Sequence, residues 1–238
     1  MKVIGVIPAR IGSTRLPKKP LELILGKPMI QWVWEGAKKS KLLNELIVAT
    51  DDKSIVKAVE GFGGNAVLTP ASCQSGSDRI AKAVSKLKAD IVVNIQGDEP
   101  LMTGPVVDQA IKALIKHPEA VVGTVCKEIK DPEDYDNPNA VKVVFNRHGY
   151  AIYFSRSRIP ATGKAYKHMG IYSYGYDFLK QFTKLKQTPL EIAEKLEQLR
   201  ILENGFKIGI LPVNQTLISV DTKEDLDRVE NYLKGLKK

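Results

Sequence analysis

The first half of the chain alternates short apolar runs with segments of helical periodicity. Each apolar run has the length and the valine and isoleucine content of a strand. These runs are residues 2–7, 45–50, 65–69, 90–96 and 120–125. The amphipathic segments between them are residues 28–39, 53–62, 77–87 and 104–116. Apolar strands separated by amphipathic helices are typical of βαβ units, so this half predicts an α/β fold with a mostly parallel sheet.

After about residue 138 the pattern becomes that of an antiparallel extension. Residues 141–156 predict two strands around a turn, and residues 169–176 predict a further strand rich in tyrosine. The chain then returns to the core with a helix at 189–204, which has a proline in its first turn and a glycine after its end. The last predicted elements are strands at 206–212 and 217–221 and a helix at 222–238.

The chain shows no linker, repeat or low-complexity segment, so we predict one domain, 1–238, with an extension at about 138–175. The sheet is expected to be mixed, mostly parallel. In open α/β sheets, ligands bind beyond the carboxyl ends of the strands. That rule directs attention to residues 8–20, 50–52, 70–79, 96–100 and 221.

The composition is that of an ordinary globular protein, with 43% hydrophobic and 26% charged residues among 238. No apolar run approaches the roughly 18 residues of a membrane span. The N-terminal apolar run is short and is interrupted by Pro8 and Arg10, so we expect no signal peptide and a cytoplasmic protein. Cys73 and Cys126 form no CxxC pair, which favours a reducing compartment.

The net charge of +9 raises the possibility of a nucleic-acid partner. The lysines, however, are spread along predicted helix faces, as at Lys38 and Lys39. Neither an aromatic-rich RNA-binding pattern nor a clear helix-turn-helix accompanies them. We therefore favour a solvated lysine-rich surface and expect no nucleic acid as a partner.

The loop after the first strand, PARIGSTRLPKKP at residues 8–20, concentrates positive charge. Its cations are Arg10, Arg15, Lys18 and Lys19. The hydroxyls of Ser13 and Thr14 and the backbone N–H groups around Gly12 are further donors for phosphate oxygens. The loop matches neither GxxxxGK[ST] nor GxGxxG. It predicts a phosphate-binding site, and a basic, proline-punctuated surface loop is the alternative.

Two aspartates are candidates for holding a cation. Asp98 follows the most apolar strand, so its carboxylate is expected at the sheet edge, where it could hold Mg²⁺. A simple turn is the alternative. Asp221 could complete this site, although it is also a good N-cap for the last helix, with Glu224 as the third residue of a capping box.

Small polar residues precede the helix near residue 77. Ser75 or Ser77 can cap that helix, and small residues there would also let a base or a ribose approach the backbone closely. In and beyond the extension, composition alone does not decide whether side chains pack or bind. Arg156, for example, could pair with a substrate carboxylate or with a protein acid.

Nine segments together resemble the cytidylyltransferases that make CMP-Kdo, in which Kdo is 3-deoxy-manno-octulosonate, a sugar of the lipopolysaccharide core. The segments follow the order of that family and span nearly the whole chain. They are residues 8–20, 49–52, 74–79, 94–100, 139–145, 153–156, 168–174, 196–200 and 219–226.

The resemblance implies a Rossmann-like nucleotidyltransferase fold, a three-layer sandwich with a mixed sheet, and a homodimer built through the antiparallel extension. It implies a reaction of CTP with Kdo that gives CMP-Kdo and pyrophosphate for lipopolysaccharide core synthesis. The implied cofactor is Mg²⁺. Only seven residues, 161–167, separate Pro160 from His168, which is shorter than in many relatives. This leaves open which octulosonate fits, Kdo or its 8-amino analogue. A related cytidylyltransferase that uses a sialic acid is the nearest alternative.

The resemblance also implies the roles of individual residues. Those implied at the nucleotide are Pro8, Ala9, Arg10, Ser13, Arg15, Lys19, Gln74, Ser75, Gly76, Arg79 and Gln96. Those implied at the sugar are Gln96, Arg156, His168, Tyr172, Glu197 and Gln198. Asp98 and Asp221 are the implied metal ligands and, with Arg10 and Lys19, the implied catalytic groups. Lys18 is expected to be a solvated neighbour.

Overall fold

The computed structural model describes residues 1–12 and 15–236. The chain divides into two compact units. The first unit comprises Met1–Asp90, Asn94–Val107 and Thr216–Lys238, and the second comprises Ile91–Val93 and Asp108–Gln215. Because each unit is assembled from separate stretches of sequence, this division marks no boundary between consecutive domains. The prediction of a single domain stays a prediction.

The regular elements alternate through most of the chain. The strands are β1 Val3–Ala9, β2 Leu23–Ile24, β3 Lys27–Pro28, β4 Glu45–Thr50, β5 Ala66–Leu68, β6 Ile91–Ile95, β7 Ala120–Glu128, β8 Lys142–Phe145, β9 Ala151–Ser155, β10 Tyr166–Gly175 and β11 Lys207–Pro212. The helices are α1 Met29–Ala37, α2 Lys53–Gly61, α3 Gly76–Val84, α4 Gly104–Ile115, α5 Pro132–Asp136, α6 Tyr176–Phe182, α7 Pro189–Glu194, α8 Leu199–Glu203 and α9 Lys223–Gly235. None of the described helices is long and apolar enough to cross a membrane.

The first unit is built on parallel strands. β4 pairs in parallel with β1 and with β5. Nearly every residue of β1 is apolar and buried, which is typical of a strand covered on both faces. Local hydrogen bonds start the helices that follow: Ser75 forms a capping box with Asp78 at α3, and Thr222 forms one with Asp225 at α9.

The second unit contains a mixed sheet. β7 pairs in parallel with β11 and antiparallel with β10, and β8 pairs antiparallel with β10 and β9. The two strands predicted within residues 141–156 are therefore confirmed. Helix α6 buries Phe178, Leu179 and Phe182 in the core of this unit. The α/β class, with a mixed, mostly parallel sheet flanked by helices, is confirmed.

Two predicted elements are wrong. The helix predicted at 189–204 is broken into α7 and α8, because Lys195 adopts left-handed angles (φ 54°, ψ 46°) and ends α7. The strand predicted at 217–221 does not form. This short apolar segment is anchored instead by the Val220 N–H, which donates to the Asp98 carbonyl over 2.9 Å.

Asp221 does not cap the last helix. The cap is Thr222, one residue later, and the third position of the capping box is Asp225 rather than Glu224. The Asp221 carboxylate is left to accept hydrogen bonds and ion pairs from the opening loop.

Candidate functional site

One ammonium group joins the two candidate metal ligands in the first unit. Lys19 begins a short 3₁₀ turn after β1, and its Nζ donates to Asp98 Oδ2 over 2.7 Å and to Asp221 Oδ1 over 3.0 Å. The same Nζ donates to the Val220 carbonyl over 3.0 Å. A loop cation and two carboxylates from distant parts of the sequence thus meet at one point.

The electrostatics of this cluster keep Lys19 charged. Burial alone would lower the pKa of Lys19, but attraction to Asp98 and hydrogen bonds to both aspartates outweigh it and raise the pKa above 10.5. The side chains remain partly accessible, with 16% of Lys19, 30% of Asp98 and 41% of Asp221 exposed. A charged ligand can therefore reach them.

The two aspartates suit a hard divalent cation in donor type, since both offer carboxylate oxygens toward one positive group. Among the residues that the structure describes, no cluster of three or more histidine, cysteine, aspartate or glutamate side chains could hold a metal. A cation such as Mg²⁺ at this pair would need further oxygen ligands from water or from a substrate.

The other cations of the opening loop are exposed. Arg15 is 64% exposed and pairs with Asp221 Oδ2 over 3.1 Å. Arg10 and Lys18 lie at the surface. Ser13, predicted to bind the nucleotide, lies outside the described residues, as does Thr14. The loop therefore presents accessible positive charge beside the Lys19 cluster.

Close backbone packing brings the neighbouring segments to the end of β1. A Cβ atom on Gly97 would lie 2.8 Å from the Pro8 carbonyl oxygen, so only glycine permits this approach. The Cβ position of Gly76, at the start of α3, lies 3.7 Å from Pro8 Cγ. Pro8 therefore borders both the turn after β6 and the start of α3, and Ala9 pairs with Thr50 at the end of β4. Gln96 donates from Nε2 to Asn94 Oδ1 over 3.2 Å.

Arg79 was predicted near the base and ribose, and its guanidinium contacts other protein side chains. Its guanidinium is buried and donates to Thr69 Oγ1 over 2.7 Å and to Asp51 Oδ2 over 2.8 Å. It thereby ties α3 to the ends of β4 and β5. Gln74 is exposed, and Ser75 serves as the N-cap of α3. Their roles in nucleotide binding stay predictions.

The sugar residues predicted in the second unit include two neighbouring rings. The rings of His168 and Tyr172 lie 5.3 Å apart between centroids, and Phe154 meets His168 edge-on at 5.0 Å. Burial lowers the pKa of His168 from 6.5 to about 3, so its imidazole is neutral at physiological pH. Burial, with the nearby Tyr174 and the Glu197 charge, raises the pKa of Tyr172 well above 10.

The break between α7 and α8 positions the other predicted sugar residues. Gln198 is buried at the start of α8, and Glu197 precedes it. A buried ion pair holds this segment: Arg200 donates to both carboxylate oxygens of Glu191, over 2.7 Å and 2.5 Å. The two glutamates differ in exposure: Glu191 is buried and paired with Arg200, and Glu197 is half-exposed.

Arg156 is tied to backbone carbonyls. It donates to Glu194 O over 2.9 Å, to Pro138 O over 3.0 Å and to Lys195 O over 3.4 Å. Two of these carbonyls belong to the end of α7, where a cation is favourable. Recognition of a substrate carboxylate by Arg156 stays a prediction.

Sequence reasoning missed several supporting residues. The Glu194 carboxylate accepts from the Arg156 N–H, the Ser155 hydroxyl and the Tyr153 hydroxyl. Lys142 is fully buried, and its Nζ donates to the carbonyls of Asn137 and Arg156. The one signal for Lys142 was a charged residue inside an apolar strand.

Comparisons with known proteins agree across nearly the whole chain. A family profile described as cytidylyltransferase matches residues 4–208. The 3-deoxy-manno-octulosonate cytidylyltransferase of Geobacter metallireducens is 46% identical over 249 residues, which cover 98% of each chain. That of Thermodesulfovibrio yellowstonii is 47% identical over 252 residues, with the same coverage. A solved structure of CMP:2-keto-3-deoxy-manno-octonic acid synthetase complexed with CTP has 40% identity and a TM-score of 0.94, and covers 99% of each chain.

Proposed function

Because this chain belongs to the family of 3-deoxy-manno-octulosonate cytidylyltransferases, we propose that it makes CMP-Kdo from CTP and Kdo and releases pyrophosphate. The observation that carries this proposal is the match at 46% identity over 98% of both chains. By the same likeness, the product would serve lipopolysaccharide core synthesis, and the reaction would take place in the cytoplasm.

In the proposed reaction, the anomeric hydroxyl of Kdo attacks the α-phosphorus of CTP. The new bond joins this oxygen to phosphorus, the bond to the bridging oxygen of the β-phosphate breaks, and the hydroxyl proton is lost to solvent. We propose that Arg10, Arg15 and Lys19 bind the negatively charged triphosphate. Arg10 and Arg15 are exposed, and Lys19 lies beside the two aspartates. The protein acts mainly by positioning and charge stabilisation.

We further propose that Asp98 and Asp221 hold Mg²⁺. This proposal is supported by the contact that both aspartates make with one cation: Asp98 Oδ2 and Asp221 Oδ1 lie 2.7 Å and 3.0 Å from Lys19 Nζ. When bound, the metal would offset negative charge on the phosphates. Lys19 would then be free to turn from the carboxylates to a phosphate oxygen.

The sugar is assigned to the second unit. Tyr172, His168 and Gln198 are uncharged groups that can donate to or accept from sugar hydroxyls, and Glu197 and Arg156 add charges of both signs. Gln96 in the first unit is proposed to contact both substrates. Gln74, Ser75, Gly76, Arg79, Pro8 and Ala9 complete the proposed nucleotide site.

A homodimer is proposed through the extension. Ile152 lies on β9, which pairs only with β8 among the described strands, and its side chain is 60% exposed. An exposed apolar edge strand is a common place for a partner strand or surface. Light scattering tests the proposal, since the dimer has twice the 26.3 kDa mass of one chain.

The direct test of function is incubation of the protein with CTP, Mg²⁺ and Kdo, with pyrophosphate measured and the nucleotide product identified by mass. We expect CMP-Kdo, and no pyrophosphate when Kdo is omitted. Parallel reactions with 8-amino-Kdo and a sialic acid test the choice of sugar. If only 8-amino-Kdo or only the sialic acid supports turnover, that sugar replaces Kdo as the proposed substrate. If no sugar supports turnover, the proposed activity is wrong.

A further inference from the structure

An irregularity in β10 brings His168 and Tyr172 together. Met169 of β10 pairs with Val125 of β7, and Tyr172 pairs with the adjacent Thr124. The two residues between Met169 and Tyr172 therefore have no pairing partners on β7 and form a bulge. His168 and Tyr172 consequently face partners only two positions apart, Cys126 and Thr124. In an unbroken strand, residues four positions apart would be separated by about 13 Å. Here their ring centroids are 5.3 Å apart.

The hydroxyl of Thr124 lies inside this bulge. Thr124 is fully buried, and its Oγ1 lies 2.7 Å from the Ile171 carbonyl oxygen, 3.4 Å from that of Met169 and 3.0 Å from His168 Nε2. One side chain from β7 thus contacts the backbone of the bulge and the ring of the histidine.

The distances determine which nitrogen of His168 carries the proton. Two oxygens 2.7 Å apart need a hydrogen between them, and the carbonyl of Ile171 has none, so the Thr124 hydroxyl donates its single proton there. Its lone pair therefore faces His168, and Nε2 must be the donor in the 3.0 Å contact. The assignment follows from the hydrogen-bond network.

This arrangement leaves Nδ1 of His168 as an acceptor. A neutral imidazole with a proton on Nε2 has a lone pair on Nδ1. Nδ1 makes no hydrogen bond to the residues that the structure describes, and it is not one of their fully buried polar atoms that lack a partner. His168 keeps 8% of its surface exposed, and its ring centroid lies 5.3 Å from that of Tyr172.

We propose that Thr124 is a positioning residue for the sugar, because it fixes the Nε2–H form of His168 and so presents Nδ1 as an acceptor for a sugar hydroxyl. This inference rests on the proposed function and on the assignment of His168 to the sugar. Thr124 touches neither substrate in this account and acts only through the histidine. If Thr124 merely fills the bulge, the proton on His168 has no bearing on sugar binding.

The kinetic test compares three variants. Thr124→Val keeps the shape but loses the hydroxyl, and Thr124→Ser keeps the hydroxyl. Ser173→Ala removes a different buried hydroxyl, on β10, which donates to Ala110 O over 2.5 Å. We expect Thr124→Val to raise the KM for Kdo about tenfold with the KM for CTP unchanged, as expected for one misdirected hydrogen bond. Thr124→Ser and Ser173→Ala should retain the wild-type KM for Kdo.

A second readout is independent of activity. In ¹⁵N-labelled wild-type protein, the ring signals of His168 should show the proton on Nε2, and Thr124→Ser should retain that pattern. A proton on Nδ1 in the wild type overturns the inference, as does a folded Thr124→Val variant with an unchanged KM for Kdo. If Thr124→Val does not fold, the wild-type ring signals decide alone. A wild type that does not consume Kdo would instead overturn the proposed function.

Discussion

The two units of the molecule use charged side chains in opposite ways. In the first unit, Lys19, Asp98 and Asp221 form a partly exposed cluster. In the second, Arg200 and Glu191 form a buried pair with 11% and 5% of their side chains exposed. The fully buried Lys142 of that unit bonds only to backbone carbonyls in the contacts that the structure shows.

This difference separates charges available to a ligand from charges that hold the backbone. An accessible cation between two carboxylates can exchange partners when a triphosphate or a metal arrives, at a small cost in desolvation. A buried pair cannot exchange partners without a large cost. Among the residues proposed for the sugar in the second unit, His168 and Tyr172 are uncharged, and their ring centroids lie 5.3 Å apart. Removing charge should therefore cost activity in the first unit and stability in the second.

The largest expected effect concerns the buried pair. Arg200→Leu leaves the Glu191 carboxylate buried without its cation, and should lower the free energy of unfolding by about 3–5 kcal/mol. Denaturant titration measures this loss. The control is Lys207→Ala, which breaks the exposed pair with Glu119 and should cost less than about 1 kcal/mol. Equal losses in both variants would remove the distinction between buried and exposed charge.

The next effect concerns the exposed cluster. Asp98→Asn should reduce turnover at least about a hundredfold, as expected for a metal ligand, and leave the melting temperature nearly unchanged. The matched control is Asp227→Asn on α9, an exposed aspartate that pairs with Lys223 and should keep full activity. Pyrophosphate release by Asp98→Asn near the wild-type rate would contradict the metal assignment.

The smallest effect is a pH dependence that originates in the second unit. Because burial lowers the pKa of His168 from 6.5 to about 3, the unfolded chain binds a proton between these pH values that the folded chain does not. Stability should therefore fall as the pH drops below 6.5. Between pH 7 and pH 5 the wild type should lose about 2 kcal/mol more than His168→Gln.

Denaturation at the two pH values measures this difference. If His168→Gln loses as much stability as the wild type over this range, His168 is not a buried neutral group.

Local patterns predicted those elements whose cause is local. The β4 strand has the predicted bounds, 45–50, because it is a continuous apolar run, and Ser75 caps α3 as one of the two predicted candidates. The break at Lys195 had no local signal, since the residues around it favour a helix. Arg156, which follows β9, donates to the Lys195 carbonyl at this break, and such a contact from another segment is not revealed by spacing along the chain.

The same limit applies to the candidate site. The rule that ligands bind at the carboxyl ends of strands directed attention to the opening loop, Asp98 and Asp221, and Lys19 does bond to both acids. The strand predicted before Asp221 does not form. That Arg79 would be enclosed by Asp51 and Thr69 could not be predicted, because neither partner stands at a helical or strand spacing from it. Thr124 lacked a signal altogether, since its role depends on a bulge in another strand.

We propose that residues of the first unit bind the triphosphate and residues of the second unit bind the sugar. The most direct measurement is the KM for CTP and for Kdo in Lys19→Ala and in Tyr172→Phe. Lys19→Ala should raise the KM for CTP about tenfold or more and leave the KM for Kdo unchanged, since a charged contact to phosphate is lost. Tyr172→Phe should raise the KM for Kdo and leave the KM for CTP unchanged. Equal changes in both constants for either variant would contradict this division of roles.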